Sequence, residues 1–466
     1  MTDDRGDACR VLVPTGALGS GVRTDELDAG MRLSPHAIAL DAGSTDSGPA
    51  ALATGRSKYS RAAVKRDLTP LMAARASAAI PLLVGSCGTS GCDAAVDWTL
   101  EIVQEIAAEQ GAAPRIAVLY AEQDKAVIRA KSQAGAVRSL APERPLEDAT
   151  IEACNHIVAL LGPEPYIAAL EAGADIVLAG RTTDTAVLAA VPLMRGAPAG
   201  PAWHAAKIAE CGGLCTVNPS WPGVMMSVDA GGFVIAPLAA SNRCTPDTVS
   251  AHMLYENSDP FRLVEPGGVL DVTDARYEAL DDRAVRVTGS RWTPGPYTMK
   301  LEGAGGGPFQ TVMLVGIEDP AVLADVDAFV ARMWRALSGR VRRALGEATA
   351  ERIDISLRPY GWNAVSGLAP APGSAPPREI GLMFVATAPT QSLATEAAKV
   401  CNPTFFHLPV SDGRELPSYA FPFSPAEIER GQVFEFHLNH VVETSSPFEL
   451  VRTRWVGAPA GSRIDA

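Results

Sequence analysis

Short apolar runs that lead into polar, glycine-rich segments recur along the first half of the chain. The runs cover residues 10–14, 36–40, 80–84, 115–120 and 175–179. Each has the length of a buried strand, and Gly, Ser, Thr and Asp gather after the run rather than before it. Residues 94–110 instead repeat apolar side chains every three or four positions, which predicts a helix. Strands that alternate with helices predict an α/β domain with a mostly parallel sheet.

The second half of the chain has a different pattern of apolar and turn-forming residues. Short runs between Pro and Gly predict strands at 232–236, 283–287, 311–315, 379–386 and 434–442. Longer segments predict helices at 322–345 and 392–400. The stretch 364–378, rich in Pro, Ala and Gly, predicts an exposed loop. We therefore predict an α/β domain at 1–220, an α+β region at 221–348 and a small C-terminal α+β region at 349–466.

Composition narrows the class of protein. The 466 residues carry 40 Lys and Arg against 53 Asp and Glu, a net charge of −13, and no run of basic residues. This excludes the basic surface expected of a nucleic-acid-binding protein. The first ten residues lack the apolar core of a signal peptide, and no apolar run has the length of a membrane span. We expect a cytoplasmic protein whose eight scattered cysteines are reduced thiols.

The sharpest functional signal is the turn Gly180-Arg-Thr-Thr-Asp184. It follows the run 175–179 and precedes a helix-length apolar segment, 185–194. Ligands of open α/β sheets bind at the carboxyl ends of strands. Arg181 is therefore a candidate for bidentate binding of a substrate carboxylate, with Asp184 as a base or an orienting group. The alternative is an internal Arg–Asp pair that caps the next helix.

A glycine-rich loop at 85–91 is the second candidate. It contains Ser86, Gly88 and Thr89, and small residues at a helix start let backbone amides approach a carboxylate or a phosphate. It matches neither the dinucleotide fingerprint nor the P-loop. A tight strand-to-helix connection capped by Asp93 is the alternative.

The segment 41–46 is the third candidate, with a carboxylate at each end. Asp41 and Asp46 can bind a metal, a ribose or a substrate hydroxyl. They can equally cap the helix that follows. Asn155, beside another strand-length run, is a further substrate-binding candidate.

Histidine and cysteine positions give weaker signals. His204 and Glu210 lie six apart on a predicted helix, hence on different faces, and each can move a proton separately. Cys211 reads more readily as a buried inert thiol than as a nucleophile. His156 is expected to be a packing residue on an amphipathic helix. His437 and His440 would face opposite sides of a strand, which is poor spacing for a metal.

Eight segments together carry a family resemblance. They are Asp41-Ala-Gly-Ser-Thr-Asp46, Lys65-Arg-Asp-Leu68, Gly85-Ser-Cys-Gly-Thr-Ser-Gly91, Gly162-Pro-Glu-Pro165, 173–181 with Asp184, 204–213, Ala251-His-Met-Leu-Tyr-Glu256 and Lys300-Leu-Glu-Gly-Ala304. Over roughly residues 36–335 the chain resembles the acyclic terpene utilisation family AtuA. Where many relatives have a glycine-rich turn, this chain has Ala-Ala-Ser-Asn-Arg-Cys at 239–244, which indicates a divergent branch.

The resemblance implies a role in the bacterial catabolism of branched or terpene-derived acids, handled as acyl-CoA thioesters. It also implies a small ferredoxin-like domain or partner protein, for which residues 350–445 are the candidate segment. We expect a homo-oligomer. The sequence makes no cofactor obligatory.

These observations predict a lyase or hydratase that acts on a small branched or unsaturated carboxylic acid or its CoA thioester. Asp184, His204 or Glu210 would move the proton. The predicted substrate-binding residues are Asp46, Ser86, Gly88, Thr89, Asn155 and Arg181, and no metal ligand is assigned.

Two alternatives belong to other classes. One is a metal-dependent hydrolase with Asp41, Asp46, Asp184 and His204 as ligands. The other is a non-catalytic subunit that binds a small acidic partner protein through its β-rich C-terminal region.

Overall fold

The computed structural model describes residues 8–43, 45–368, 371, 373–411, 413 and 419–457. These described residues form two compact units, one made of those within 1–305 and 435–466 and the other of those within 306–434. The predicted boundaries near 220 and 348 divide the chain differently and stay predictions about domain organisation.

The strands are numbered in chain order. They are β1 Cys9–Val13, β2 Ala37–Asp41, β3 Leu82–Gly85, β4 Ile116–Tyr120, β5 Val137–Ser139, β6 His156–Ala159, β7 Ile176–Ala179, β8 Val224–Asp229, β9 Gly232–Pro237, β10 Arg262–Glu265, β11 Gly268–Asp271, β12 Arg276–Ala279, β13 Val285–Thr288, β14 Arg291–Pro294, β15 Thr298–Ile317, β16 Asp354–Tyr360, β17 Ile380–Ala388, β18 Tyr419–Ala420, β19 Ile428–Glu443 and β20 Arg452–Val456.

The α-helices are numbered in the same way. They are α1 Thr24–Met31, α2 Ala50–Thr54, α3 Arg61–Ala78, α4 Asp93–Glu109, α5 Lys125–Gln133, α6 Asp148–Ala153, α7 Glu164–Glu171, α8 Ala186–Met194, α9 Ala199–Ala209, α10 Pro246–Ala251, α11 Pro320–Leu323, α12 Val326–Leu345, α13 Glu347–Ala350 and α14 Gln391–His407. Short 3₁₀ helices span Thr45–Ser47, Gly212–Cys215 and His252–Leu254. Among the described helices, none has both the length and the apolar character that crossing a membrane requires.

A ten-stranded mixed sheet forms the centre of the first unit. Its order is β12-β13-β9-β8-β1-β2-β3-β7-β4-β20. The five strands from β1 to β4 in this order run parallel to one another, and the flanking strands pair antiparallel. The predicted α/β fold class is confirmed, although the sheet as a whole is mixed, with four parallel and five antiparallel pairings instead of a mostly parallel order. Each of the five apolar runs of the first half is one of the parallel strands.

Both faces of the parallel strands are buried, which explains why their sequences read as continuous apolar runs. Ile38 and Leu40 of β2 belong to a cluster that includes side chains of α3 and α4. Ala37 and Ala39, which alternate with them, belong to the cluster on the other face with α8 and α9. Helices therefore cover both faces of the sheet. The loops at the ends of its strands remain available for a functional site.

The carboxyl ends of β1, β2, β3, β7 and β4 meet at one edge of this sheet because these strands are parallel. Val13 at the end of β1 pairs with Val224 at the start of antiparallel β8. The segment that precedes β8 therefore reaches the same edge. This edge gathers the loops that begin at Thr15, Asp41, Gly85 and Gly180.

The prediction that His156 lies on a helix is wrong. His156 begins β6, and residues 156–159 pair antiparallel with 301–304 of β15. The three residues that follow His156 are apolar and buried, and two of them are β-branched. Such a run fits a buried strand better than one turn of an amphipathic helix.

The second unit has its own four-stranded arrangement. Its strands come from the later part of β15, from β16, from β17 and from the first part of β19, in the order β16-β17-β15-β19. In chain order, helix α12 connects β15 to β16, and helix α14 connects β17 to β19. This is the β-α-β-β-α-β order of ferredoxin-like folds. This arrangement begins at 306, whereas the sequence suggests a ferredoxin-like region only from about 349.

Gly91 shows how closely two loops of the site edge approach each other. Its φ is +63°, and a Cβ on it would lie 2.0 Å from the backbone nitrogen of Arg181. That nitrogen donates a hydrogen bond to the carbonyl of Gly91 at 3.2 Å. The glycine-rich loop and the Arg181 turn are therefore held together by backbone atoms that leave no room for a side chain.

We expect Gly91→Ala to lower the free energy of unfolding by about 3 kcal/mol or more, because it adds a clash with backbone to a strained φ. Gly111→Ala is the matched control: Gly111 has a φ of +62°, and nothing lies within 4 Å of the position that a Cβ on it would take. It should lose only about 1–2 kcal/mol, the strain of a left-handed residue. Urea unfolding of both variants measures the difference. Equal losses would show that the close approach to Arg181 has no energetic weight.

Candidate active site

A cavity of about 340 Å³ lies at the carboxyl edge of the parallel strands. Loops after β1, β2 and β7 line it, together with the segments around 211–222 and 255–256. Its charged lining residues are Asp41, Asp46, Asp184, Glu210, Glu256 and a single cation, Lys58. Five carboxyl groups against one ammonium group make this an acidic cavity.

Arg181 lies buried behind the cavity and holds its walls together. Its Nε donates to Glu302 at 3.1 Å, and its Nη1 donates to Ser86 Oγ and Asp184 Oδ1, each at 3.0 Å. Nη1 also reaches the carbonyl of Thr182 at 3.1 Å. Burial alone would lower the pKa of Arg181, but Glu302 and Asp184 raise it, so the guanidinium stays charged.

Glu302 is the counter-ion of Arg181 and comes from the first part of β15. Its Oε2 accepts from Arg181 and, at 3.0 Å, from the hydroxyl of Thr45, while its Oε1 accepts from Lys300 at 2.9 Å. Burial would raise the pKa of Glu302, but Arg181 and Lys300 lower it to about 2. Glu302 is therefore a buried, fully bonded carboxylate at neutral pH.

The carboxyl groups that face the cavity show the opposite behaviour. Burial raises the pKa of Asp184 above its ordinary value, and the Arg181 guanidinium limits the rise. Burial and the charge of Asp184 raise the pKa of Asp41 well above its ordinary value, while a hydrogen bond from the Gly43 amide at 3.0 Å acts against this. The two carboxyl groups are therefore electrostatically coupled, and charging both at once is unfavourable.

Glu256 is the carboxyl group best suited to exchange protons near neutrality. Burial, and next the contact with Asp46, raise the pKa of Glu256 to about 7. The charge of Asp184 acts in the same direction, so Asp46, Asp184 and Glu256 are close enough to affect one another's protonation. Glu256 also has a φ of +59°, a conformation that non-glycine residues seldom adopt and that is common at functional sites.

Glu210 and Cys211 line the cavity near the end of α9, and His252 lies close to both. Lys207, one turn earlier, donates to Glu210 Oε1, and burial raises the pKa of Glu210 well above its ordinary value although Lys207 opposes the rise. Burial lowers the pKa of His252 to about 4, so its imidazole is neutral. Burial and the charge of Glu210 raise the pKa of Cys211, which leaves this residue as a thiol.

The turn that carries Asp184 is supported from outside the cavity by Glu265. Its Oε1 accepts a hydrogen bond from the hydroxyl of Thr185 at 2.8 Å, directly before α8. Burial raises the pKa of Glu265 to about 7. The protonation of this carboxyl group is thereby linked to the position of the Asp184 turn.

The structure brings together some of the residues predicted from the sequence. Asp41, Asp46, Thr89, Asp184 and Glu210 line the cavity. Ser86 and Arg181 lie behind it and bond to each other. Of the predicted metal ligands Asp41, Asp46, Asp184 and His204, the three carboxylates share the cavity.

Three further residues that the sequence assigns to the site lie outside the cavity lining. They are Gly88, Asn155 and His204. A Cβ on Gly88 would lie 2.7 Å from that of Ala95 in α4, and Asn155 Nδ2 donates to the carbonyl of Ala53 at 2.8 Å. His204 is fully buried, with its ring nitrogens bonded to Ser290 and Tyr277. Burial lowers the pKa of His204 to about 3, so it is neutral and locked in a hydrogen-bonded packing role.

The glycine-rich loop uses several of its amides within the protein. The amides of Ser86 and Cys87 donate to the carbonyls of Gly180 and Ala179, and the amide of Gly91 donates to Cys87. These three amides bind backbone rather than an anion. The hydroxyl of Thr89, which has a φ of +79°, accepts from the Lys58 amide at 3.0 Å.

The model of the acyclic terpene utilisation family AtuA matches residues 50–415 of the chain. The chain belongs to this family. The resemblance seen in the sequence motifs is thereby confirmed, and the family description supports a role in terpene catabolism. No curated protein and no solved structure is significantly similar to the chain.

In this AtuA family member, sequence reasoning missed several residues of the site. They are Lys58, His252, Glu256, Glu265 and Glu302. A usable signal existed for three of them, because His252 and Glu256 lie in the family segment 251–256 and Glu302 lies in 300–304. Glu302 also lies in the buried first part of β15, where a carboxylate calls for a buried partner.

We expect Arg181→Lys to lower the free energy of unfolding by about 3 kcal/mol, because one ammonium group cannot serve Glu302, Asp184 and Ser86 at once. Arg262→Lys, at an exposed pair with Asp271, is the control and should change stability by less than about 1 kcal/mol. Chemical unfolding of both variants provides the comparison. A tolerated lysine at 181 would show that the five guanidinium donors are not needed.

We expect Glu265→Gln to change how stability depends on pH. The folded pKa of about 7 lies above the ordinary 4.5, so above pH 4.5 the unfolded chain loses a proton that the folded chain keeps. This contribution to stability is complete below pH 4.5 and falls by up to about 3 kcal/mol as pH rises to 7. The glutamine cannot titrate and should remove that fall.

Urea unfolding of wild type and Glu265→Gln between about pH 5 and pH 8 tests this expectation. The difference in unfolding free energy between the two proteins removes the contribution of titrating groups that do not interact with Glu265. Parallel curves over this range would contradict a raised pKa at Glu265.

Proposed function

We propose that this protein is a hydro-lyase that adds water to, or removes it from, a small branched or unsaturated acyl-CoA thioester in terpene catabolism. The observation that carries the proposal is the convergence of Asp46, Asp184 and Glu256 in one cavity, where burial raises the pKa of Asp184 and Glu256. Family membership supports the catabolic context.

The cavity offers the two proton-transfer groups that such a reaction requires. Adding water to a double bond conjugated with a carbonyl needs a base for the water and an acid for the carbon next to the carbonyl. We assign Asp184 as the base and Glu256, with its pKa of about 7, as the acid. The water proton passes to Asp184, the hydroxyl bonds to the β-carbon, and the Glu256 proton goes to the α-carbon. Dehydration reverses each transfer.

The charges around the cavity favour a thioester over a free acid. Lys58 is the cation that lines it, and the donors of Arg181 serve Glu302, Asp184 and Ser86. A substrate carboxylate would meet mainly other carboxyl groups, whereas the carbonyl of a thioester is neutral. We therefore assign Arg181 to organising the carboxyl groups instead of holding a substrate acid.

The volume fits the acyl part of such a substrate. A cavity of about 340 Å³ lies at the small end of the range for ligand sites. It has room for a short branched acyl chain but not for coenzyme A as well. The Lys58 ammonium, which lies in the lining, is the donor that we propose for the carbonyl oxygen, because the hydroxyl of Tyr255 is hydrogen-bonded to Glu256.

The sequence also predicts that His204 or Glu210 moves a proton, and we assign both residues other roles. His204 lies outside the cavity lining, and both of its ring nitrogens are hydrogen-bonded within the protein. Glu210 lines the cavity, but Lys207 holds one of its oxygens. We propose that neither transfers a proton to the substrate.

We expect Asp184→Asn and Glu256→Gln each to lower kcat by about 10²- to 10⁴-fold, the usual contribution of a general acid or base. The assay follows hydration of branched α,β-unsaturated acyl-CoA thioesters and dehydration of the 3-hydroxy forms, with the free acids alongside.

Asp124→Asn is the matched control for these variants. Asp124 lies after β4 at the same sheet edge and caps α5 through its side chain, a role that asparagine also fills. It should keep wild-type kcat. Absence of turnover on every thioester by the wild type, or full activity of both cavity variants, would overturn the proposal.

A further inference from the structure

Three side chains of different chemistry converge next to the cavity, and two of them, Glu210 and Cys211, line it. Glu210 and Cys211 directly follow α9, and His252 directly follows α10. One ligand atom from each, a carboxylate oxygen, a thiol sulfur and an imidazole nitrogen, lies within 4.8 Å of the other two. Two segments far apart in sequence thus place three metal-binding atoms together.

His252 provides an independent indication that something is bound here. Its side chain is only 3% exposed, and its Nε2 has no hydrogen-bond partner among the described residues. That nitrogen points toward Glu210, with 4.0 Å to Oε1. Leaving a buried polar nitrogen without a hydrogen bond is unfavourable, so a buried histidine normally has a partner.

We propose that Glu210, Cys211 and His252 bind a zinc ion with a coordination position open to the cavity. Three protein ligands drawn from Cys, His and Glu, with a fourth position left for water or substrate, is the composition of catalytic zinc sites. Glu210 and Cys211 both line the cavity, so the open position faces it. This assignment stands on the ligand geometry and is independent of the reaction proposed above.

Charged groups of both signs lie near the three ligands. Asp184 and Glu256 raise the pKa of Cys211, and Lys207 lowers it. Lys207 donates to Oε1 of Glu210, so we assign Oε2 as the oxygen that binds the metal. Zinc-to-ligand bonds of about 2.0–2.3 Å require the three atoms to close in by about 1 Å. Cys211 loses its proton to solvent as the zinc–sulfur bond forms, without any redox change.

A second group of metal-binding residues serves as the internal comparison. Cys92, Glu122 and His156 also offer three ligand atoms within 4.8 Å of one another. Both oxygens of Glu122 are already bonded there, one to His156 Nδ1 at 2.6 Å and the other to the Asp93 amide at 2.8 Å. This cluster is satisfied within the protein, whereas the cluster at His252 is not.

The test is a titration of the metal-free full-length protein with Co²⁺, which reports thiolate ligation through a charge-transfer band in the near ultraviolet. We expect one equivalent to bind, with Zn²⁺ displacing it. Cys211→Ser should abolish the band, and His252→Gln should weaken Co²⁺ binding by about 100-fold or more. Circular dichroism checks that both variants are folded, and the serine variant makes the smaller change.

Cys92→Ser and His156→Gln are the matched controls and should leave the band and the affinity unchanged. Absence of a band in the wild type overturns the proposal. So does a band that disappears in the Cys92 and His156 variants but persists in the Cys211 and His252 variants. Because the readout is metal binding and not turnover, its failure is distinct from failure of the hydro-lyase proposal.

Discussion

The buried ion pair between Arg181 and Glu302 is the interaction on which the rest of the site depends. Removing two charges from water is unfavourable unless each finds several well-placed partners. Here Arg181 also bonds to Ser86 and Asp184, while Glu302 also bonds to Thr45 and Lys300. The pair thereby joins the loops after three neighbouring parallel strands to β15, and the position of each loop follows from it.

The same pair explains the unusual electrostatics of the cavity. Arg181 directs its charge toward Glu302 and Asp184 and away from any ligand, so the carboxyl groups of the cavity are only partly compensated. Burial raises the pKa of Asp41, Asp184, Glu210 and Glu256. An acidic cavity of this kind is poorly suited to anions, but it can exchange protons and attract a cation. Both proposals draw on this property, one through Asp184 and Glu256 and the other through Glu210 and its neighbours.

Local sequence patterns were sufficient for the parallel strands and for the edge where the site lies. A buried strand must be apolar on both faces, and its polar loop must follow it, so 36–46 and 175–184 show their structure directly. Contacts across the sheet left no such local signal. Nothing near Arg181 indicates that Glu302 would occupy its guanidinium, so a substrate was the natural partner to expect. His204 was misleading for a similar reason, because its partners Ser290 and Tyr277 lie more than seventy residues further along.

The distance along the chain between the partners of the central ion pair has a consequence for biosynthesis. Thr45 and Arg181 are separated from Glu302 by 257 and 121 residues. On the ribosome, all the parallel strands emerge well before β15 supplies the carboxylate that neutralises Arg181. Until β15 emerges, the guanidinium of Arg181 lacks the carboxylate of Glu302. Contacts between residues so far apart along the chain form slowly. The parallel strands are therefore synthesised before the strand that carries Glu302, and their loops reach their final packing only after β15 has emerged.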